Sequence, residues 1–172
     1  MSTPTDFNVG ANVKATRKLL MTYVDVSSTS TPEWELIGAG VEDSSIALNP
    51  NTETVTDILG ITETSVTKWE PTQSFEPYTV KGGSKLAFKL HETWRTKHPE
   101  NLSNFTVLVV YAYIGDTTDG YYAETQTGCT INITSIGGSA YVDMPIEVTY
   151  SNKTTVGTVK FTDGEPTFTA AA

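Results

Sequence analysis

Cysteine is nearly absent. Cys129 is the one thiol in 172 residues, so no internal disulfide can form, and cysteine usage gives no support for a secreted, disulfide-framed domain. Histidine is almost as scarce, with His91 and His98 alone. They lie seven apart, Glu92 beside the first, and match neither His-Glu-x-x-His nor a Cys/His zinc spacing. A Ser/His/Asp set drawn from so few histidines would be accidental. Basic residues are outnumbered, 11 Lys and Arg against 20 Asp and Glu, for a formal net charge of −9 and a pI of about 4.6. That balance argues against a broad basic surface gripping nucleic acid through its phosphates. No stretch approaches the roughly 18 consecutive apolar residues of a membrane span, and no charged segment followed by an apolar run lies near Met1. The expectation is a soluble protein made in a cytoplasm. No repeat recurs at a fixed period.

Weaker motifs have plainer readings. Gly82-Gly83-Ser84-Lys85 is a fragment of a phosphate loop whose full Gly-x-x-x-x-Gly-Lys-Ser/Thr pattern is missing, and a capped helix start explains it better. Asp116 and Asp119 sit in a turn beside Gly120, lack the alternate-residue spacing of a calcium loop, and read as turn formers. Four Asn-x-Ser/Thr sequons, at Asn101, Asn104, Asn132 and Asn152, are what a Thr-rich chain supplies by chance. Cys129 reads as a small core or surface thiol. No catalytic, cofactor-binding or metal-binding residue is assigned, and the expectation is a protein that is not an enzyme and carries no cofactor.

The organising stretch is residues 82–114. Ser84 suits a helix N-cap, Lys, Leu, Ala and Glu dominate the dozen residues after it, and Pro99 sets the stop, predicting a helix over 84–98. Leu86, Leu90 and Trp94 fall four apart, with Ala87 beside them, as one apolar stripe. Leu86, Phe88 and Leu90 also alternate, which a strand would explain; the caps and helix propensity favour the helix. Phe105-Thr-Val-Leu-Val-Val-Tyr-Ala-Tyr-Ile114 then reads as a strand apolar on both faces, hence central, with the helix expected on one side and a second sheet on the other.

Around it, residues 1–16 read as a polar arm, and 18–26 and 33–38 as strands of a hairpin. Residues 41–80 form a long excursion, β-prone and acidic, with candidate strands at 55–61 and 65–70; such length exceeds what a connector needs. From Asp25 to Glu76 the chain carries ten acidic residues and one base, Lys68, whereas residues 81–97 carry five bases and one acid, Glu92. Two solvated faces explain this plainly; complementary patches meeting within the fold or between copies are the sharper reading. The C-terminal half is a Thr-rich meander with turns at 115–120, Gly137-Gly138, Asn152-Lys153 and Asp163-Gly164. The sum is one domain over 1–172, mainly β: a two-sheet β-sandwich or barrel with one flanking α-helix.

This order, with Ala47-Leu-Asn-Pro-Asn-Thr-Glu53, Lys68-Trp-Glu-Pro-Thr-Gln-Ser-Phe-Glu76 and Asn104-Phe-Thr-Val-Leu-Val-Val-Tyr-Ala-Tyr113, resembles bacteriophage major tail tube proteins, above all those of long-tailed phages of Gram-positive bacteria. The likeness runs over residues 18–168 and carries no site residue. It implies the tail tube fold, assembled as stacked hexameric rings into a hollow virion tail through which DNA passes on ejection without specific binding. It also implies assembly in the bacterial host cytoplasm, no membrane, partners among tape-measure, baseplate or tip, and terminator proteins, inner strands of neighbours joining in one barrel, and a loop within 41–80 reaching the next ring. The rival is a monomeric carbohydrate-binding or immunoglobulin-like sandwich on a virion or cell surface, which should expose an aromatic platform at Tyr121-Tyr122 or Trp69.

Overall fold

A computed structural model describes residues 3–171 of the chain. Its architecture grows from the strand Phe105–Asp116, β7. Val107 and Val109 point to one side, Leu108, Val110 and Ala112 to the other, and all five are at most 7% exposed. A strand apolar on both faces must be interior to its sheet, and β7 is flanked on each edge. On one side lies Leu20–Asp25, here numbered β1, with Val24 opposite Val107, and beyond it Trp34–Ile37 (β2). Between β2 and the helix lie Ile46–Ala47 (β3), Pro50–Thr56 (β4), Thr62–Trp69 (β5) and Thr72–Phe75 (β6). On the other side of β7 lies the long strand Gly120–Ile133 (β8).

The sheet forks at β8. Its first half pairs with Thr154–Thr162 (β10), which pairs with Glu165–Ala170 (β11); its second half pairs with Ile146–Thr149 (β9), which leads to β6 and β3. Gly128 sits between the halves with φ of 75°, and there the span from Gln126 to Cys129 on β8 faces that from Val107 to Phe105 on β7. The extra residue bends the strand from one layer into the other, in a backbone conformation glycine adopts without strain.

The fork produces two cores. The larger lies between the branches, where Val24, Val107 and Val109 meet Phe75, Ile131, Ile146 and Val148, and the helix Lys85–Thr96 (α1) adds Leu86, Ala87 and Leu90. The smaller, on the opposite face, holds Tyr23, Leu108, Val110, Ala112, Ala123 and Val159. Helix and second sheet therefore share one side of β7, whereas the sequence placed them on opposite sides. The other side is covered by the first sheet itself, curling so that Trp34, Phe161 and Phe168 close over it. Gly157 permits the curl: a Cβ there would stand 2.2 Å from the Thr169 carbonyl oxygen.

The helix begins where Ser84 Oγ accepts from the Ala87 amide at 3.0 Å and ends at Lys97, in left-handed conformation with φ of 59°. Its inward stripe is Leu86, Ala87, Leu90 and Thr93, while Trp94, assigned to the stripe by spacing, is 57% exposed. Replacing Leu90 by alanine is expected to lower stability by about 2–5 kcal/mol, and Trp94→Ala by less than about 1 kcal/mol. Equal losses in denaturant titrations of the two variants would return Trp94 to the core.

Two further expectations differ from the structure. Gly137-Gly138 is not a tight two-residue turn: β8 ends at Ile133 and its paired neighbour β9 starts at Ile146, and the link between them, residues 134–145, reaches across to the segment after β6, where the Val80 amide donates to the Val142 carbonyl at 2.9 Å and Thr79 Oγ1 to Asp143 at 2.7 Å. The N-terminal segment is tied down at residues 7–8, where the Asn8 amide donates to Tyr113 O and its side chain to Ala112 O and Gly115 O, satisfying carbonyls at the irregular end of β7.

Candidate assembly surfaces

Between β3 and β6 the chain leaves the body. β4 and β5 form a two-stranded antiparallel sheet that pairs with no other strand among the described residues, and every residue of both is exposed. Threonine pairs hold it across the strands, Thr54 with Thr64 and Thr56 with Thr62, each hydroxyl pair at 3.0 Å. At the base, the Asn49 side-chain amide donates to Glu70 O (3.0 Å) and that of Asn152 to Trp69 O (2.8 Å).

The tip is built rather than loose. The Asp57 carboxylate accepts from the amides of Leu59 (2.8 Å) and Ile61 (2.9 Å), and the Gly60 amide donates to Asp57 O at 3.0 Å. That turn presents Ile58, fully exposed at 102%, and Leu59 at 78%, with Ile61 beside them. The expected strand over 55–61 is thus half strand and half turn, because Asp57 and Gly60 supply turn chemistry inside an apolar run. A lone two-stranded hairpin is marginal in water, and aliphatic side chains at its apex weaken its case as a solvated ornament.

Among the described residues three strand edges are also open, that of the two-residue β3, which pairs only with β6, and two longer ones. β2 pairs only with β1, and β11 only with β10, so each presents unpaired backbone groups along one side. They border an open groove of about 460 Å³ lined by Asp25, Trp34, Thr106, Thr125, Pro166 and Phe168. Pro166 blunts part of the β11 edge by lacking an amide donor.

The acidic and basic segments meet within the chain. Glu33 pairs with Lys85, and the Glu35 carboxylate accepts from Ser84 Oγ (2.5 Å) and from the amides of Lys85 and Leu86, both at 2.9 Å. Glu35 therefore fills the place at the start of α1 where a phosphate would bind. Loss of these bonds in Glu35→Ala is expected to cost about 1–2 kcal/mol, with Glu35→Gln in between. Thermal unfolding in which alanine matches the parent would show the cap to be unimportant. Lys81 donates to Ala39 O, Lys89 lies over the Phe105 ring, Arg95 binds Glu92 and Lys97 lies over Trp94, so all five bases of residues 81–97 have partners in their own chain. Of the two bases expected to meet another copy, Lys85 is paired with Glu33 in its own chain, whereas Lys89 meets a ring.

The remaining residues weighed from sequence are dispersed. His98 Nδ1 lies 2.8 Å from Glu100, Glu92 is held by Arg95, and among the described residues no three His, Cys, Asp or Glu gather as a metal set. Asp116 accepts from the amides of Asp119 (2.8 Å) and Thr118 (2.7 Å), which hold its carboxyl below the ordinary range. Cys129 is fully buried, which pushes its thiol up. Tyr121 lies against Phe161, and Tyr122 packs on Tyr111 and donates to Glu124 at 2.6 Å, so this pair is no open platform. Burial first, and Glu124 second, raise the phenol of Tyr111; burial does the same for Tyr150. Trp69 is half exposed at the hairpin base. No described helix is long and apolar enough to cross a membrane.

A curled sheet with a second sheet and one helix packed on a shared core is a fold found among solved proteins. No protein-family model matches the sequence, and no curated protein matches it. Among solved structures, a chain of the sheath/tube terminator of the PVC extracellular contractile injection system, in its extended state, is similar at a TM-score of 0.54 and 10% identity over 86% of this chain and 99% of that one. A chain of the anti-feeding prophage cap, the AFP tube-terminating cap, is similar at a TM-score of 0.50 and 9% identity, over 88% and 95% respectively. At such identities the likeness establishes a common fold.

Proposed function

We propose that the chain is a structural subunit of a tail-like tube, assembling as hexameric rings that stack into a hollow conduit. The observation that carries this reading is the fully exposed β4–β5 hairpin with its aliphatic apex, in a molecule that also leaves the β2 and β11 edges unpaired. Closed symmetric assembly gives those edges and that apex partners without the uncontrolled pairing open edges invite. A net charge of −9 suits a passage for DNA, since an acidic wall repels phosphates where a basic one would retard them. The shared fold with tube-terminating proteins of contractile injection systems is in keeping with a place in a tail.

On this reading the copies would be those of a phage major tail tube protein, meeting tape-measure, tip and terminator proteins at its ends. The structural likeness to a terminator and a cap favours a second reading, a single ring that closes a tube made by another protein. Electron microscopy of the concentrated protein separates the two: stacked tubes support the first, isolated rings the second. Compact monomers at every concentration would remove both. The monomeric binding module has less behind it: Tyr121 and Tyr122 are half-buried against Phe161 and Tyr111, and Trp69, its other candidate, stands half exposed without a neighbouring ring among the described residues to make a platform.

A further inference from the structure

The end of α1 carries a surface groove that the fold does not explain. It is lined by Thr93, Trp94, Lys97, Pro99, Leu102 and Ile133, and its volume of about 350 Å³ exceeds the roughly 150 Å³ that holds a benzene-sized group. Trp94 is 57% exposed there, an indole left in water at the end of a helix that buries Leu86, Ala87 and Leu90 and exposes Phe88 as well. The hairpin apex is the complementary object: Ile58 and Leu59 stand free, and the bonds from Asp57 fix their backbone before any partner arrives, which lowers the ordering cost of docking. Because Ile58 is fully exposed, the chain does not fill its own groove with its own apex.

Charge points the same way. Residues 50–69 carry Glu53, Asp57 and Glu63 against Lys68, while residues 81–97 carry five bases against Glu92. Among the described residues Lys97 pairs with no carboxylate; its Nζ lies 3.1 Å from the centroid of the Trp94 ring, at the groove. A carboxylate beside an aliphatic apex meeting an ammonium beside an apolar groove fixes orientation as well as attraction.

We propose that the Ile58-Leu59 apex of one copy docks into the Trp94–Leu102 groove of a second copy, with Asp57 beside Lys97. This rests on the assembly reading above and names the receptor it leaves open. The groove has six lining residues on three elements, so the contact is a small anchor within a larger interface.

The test uses full-length chains carrying one new thiol each. Leu59→Cys and Leu102→Cys proteins are mixed, concentrated to assemble and oxidised, with Leu59→Cys and Val142→Cys as the collision control; buried Cys129 does not compete. The mixed Leu59–Leu102 dimer is expected at several-fold the control yield, and Lys97→Glu is expected to reduce it several-fold. Assemblies that form normally with no enrichment over the control would overturn the docking and leave the assembly reading standing. Enrichment of the Leu59→Cys homodimer instead would place apex against apex, and also overturn it. Absence of any assembly would remove both.

Discussion

Replacing Ile58 and Leu59 together by aspartate is expected to abolish self-association while leaving the folded monomer intact. Both side chains are in water in the single chain, so the substitution removes no internal contact, and its effect on monomer stability should stay within about 0.5 kcal/mol. In an assembly the same two side chains would be buried. Each contributes about 1.5–3 kcal/mol on leaving water, so their loss weakens association by roughly two to four orders of magnitude per docked apex, before any repulsion between new carboxylates. Sedimentation at matched concentrations, with a thermal melt beside it, separates the two effects. Unchanged association would show that the apex is ornamental. A collapsed melting temperature would show that it packs on its own chain after all.

The second large effect belongs to Gln73, 1% exposed on β6 in the main core. Its Oε1 accepts from Tyr150 Oη at 2.6 Å and Thr22 Oγ1 at 3.1 Å, and its Nε2 donates to Ser44 Oγ at 3.1 Å. Ser44 in turn donates to Ser74 O, and its carbonyl accepts from Arg17. One amide thereby ties β1, β6 and the end of β9 to the segment before β3. Gln73→Ala leaves three buried hydroxyls without their shared partner and opens a cavity, for an expected loss of about 3–5 kcal/mol; Tyr150→Phe removes a single bond at about 1 kcal/mol. Against a typical total of about 5–15 kcal/mol, the alanine variant should unfold at much lower denaturant concentration. If the two variants unfold together, the network is not cooperative.

The sequence made β7 and α1 readable because each depends on local signals: alternating apolar residues on two faces, and Ser84 and Pro99 marking a helix. What it could not reveal depends on tertiary geometry. Trp94 has the spacing of a core residue, yet α1 rotates so that Thr93 takes the inward place. The fork at β8 is set by one positive φ at Gly128, invisible in a run of β-prone letters. Residues 55–61 read as strand because Val55, Ile58, Leu59 and Ile61 are apolar; the Asp57 to Gly60 turn signal was present and outweighed by hydrophobicity.

Glu35 and Gln73 illustrate the other limit. Glu35 is one of ten acids between Asp25 and Glu76, and only the fold shows that it caps a helix fifty residues away. The charge asymmetry was legible, but its first use is internal: Glu33 and Glu35 are spent on the start of α1. Gln73 had no sequence signal, since a polar residue in a short strand is ordinarily assigned to a wet face.

Hydrogen exchange measured from dilute to assembling concentrations tests the central claim, that sister copies complete what one molecule leaves open. The amides of β2, β11 and the β4–β5 hairpin are expected to gain protection as concentration rises, while those of β7, already paired on both edges, stay unchanged. Exchange at those open edges and at the hairpin that is the same at every concentration would contradict it.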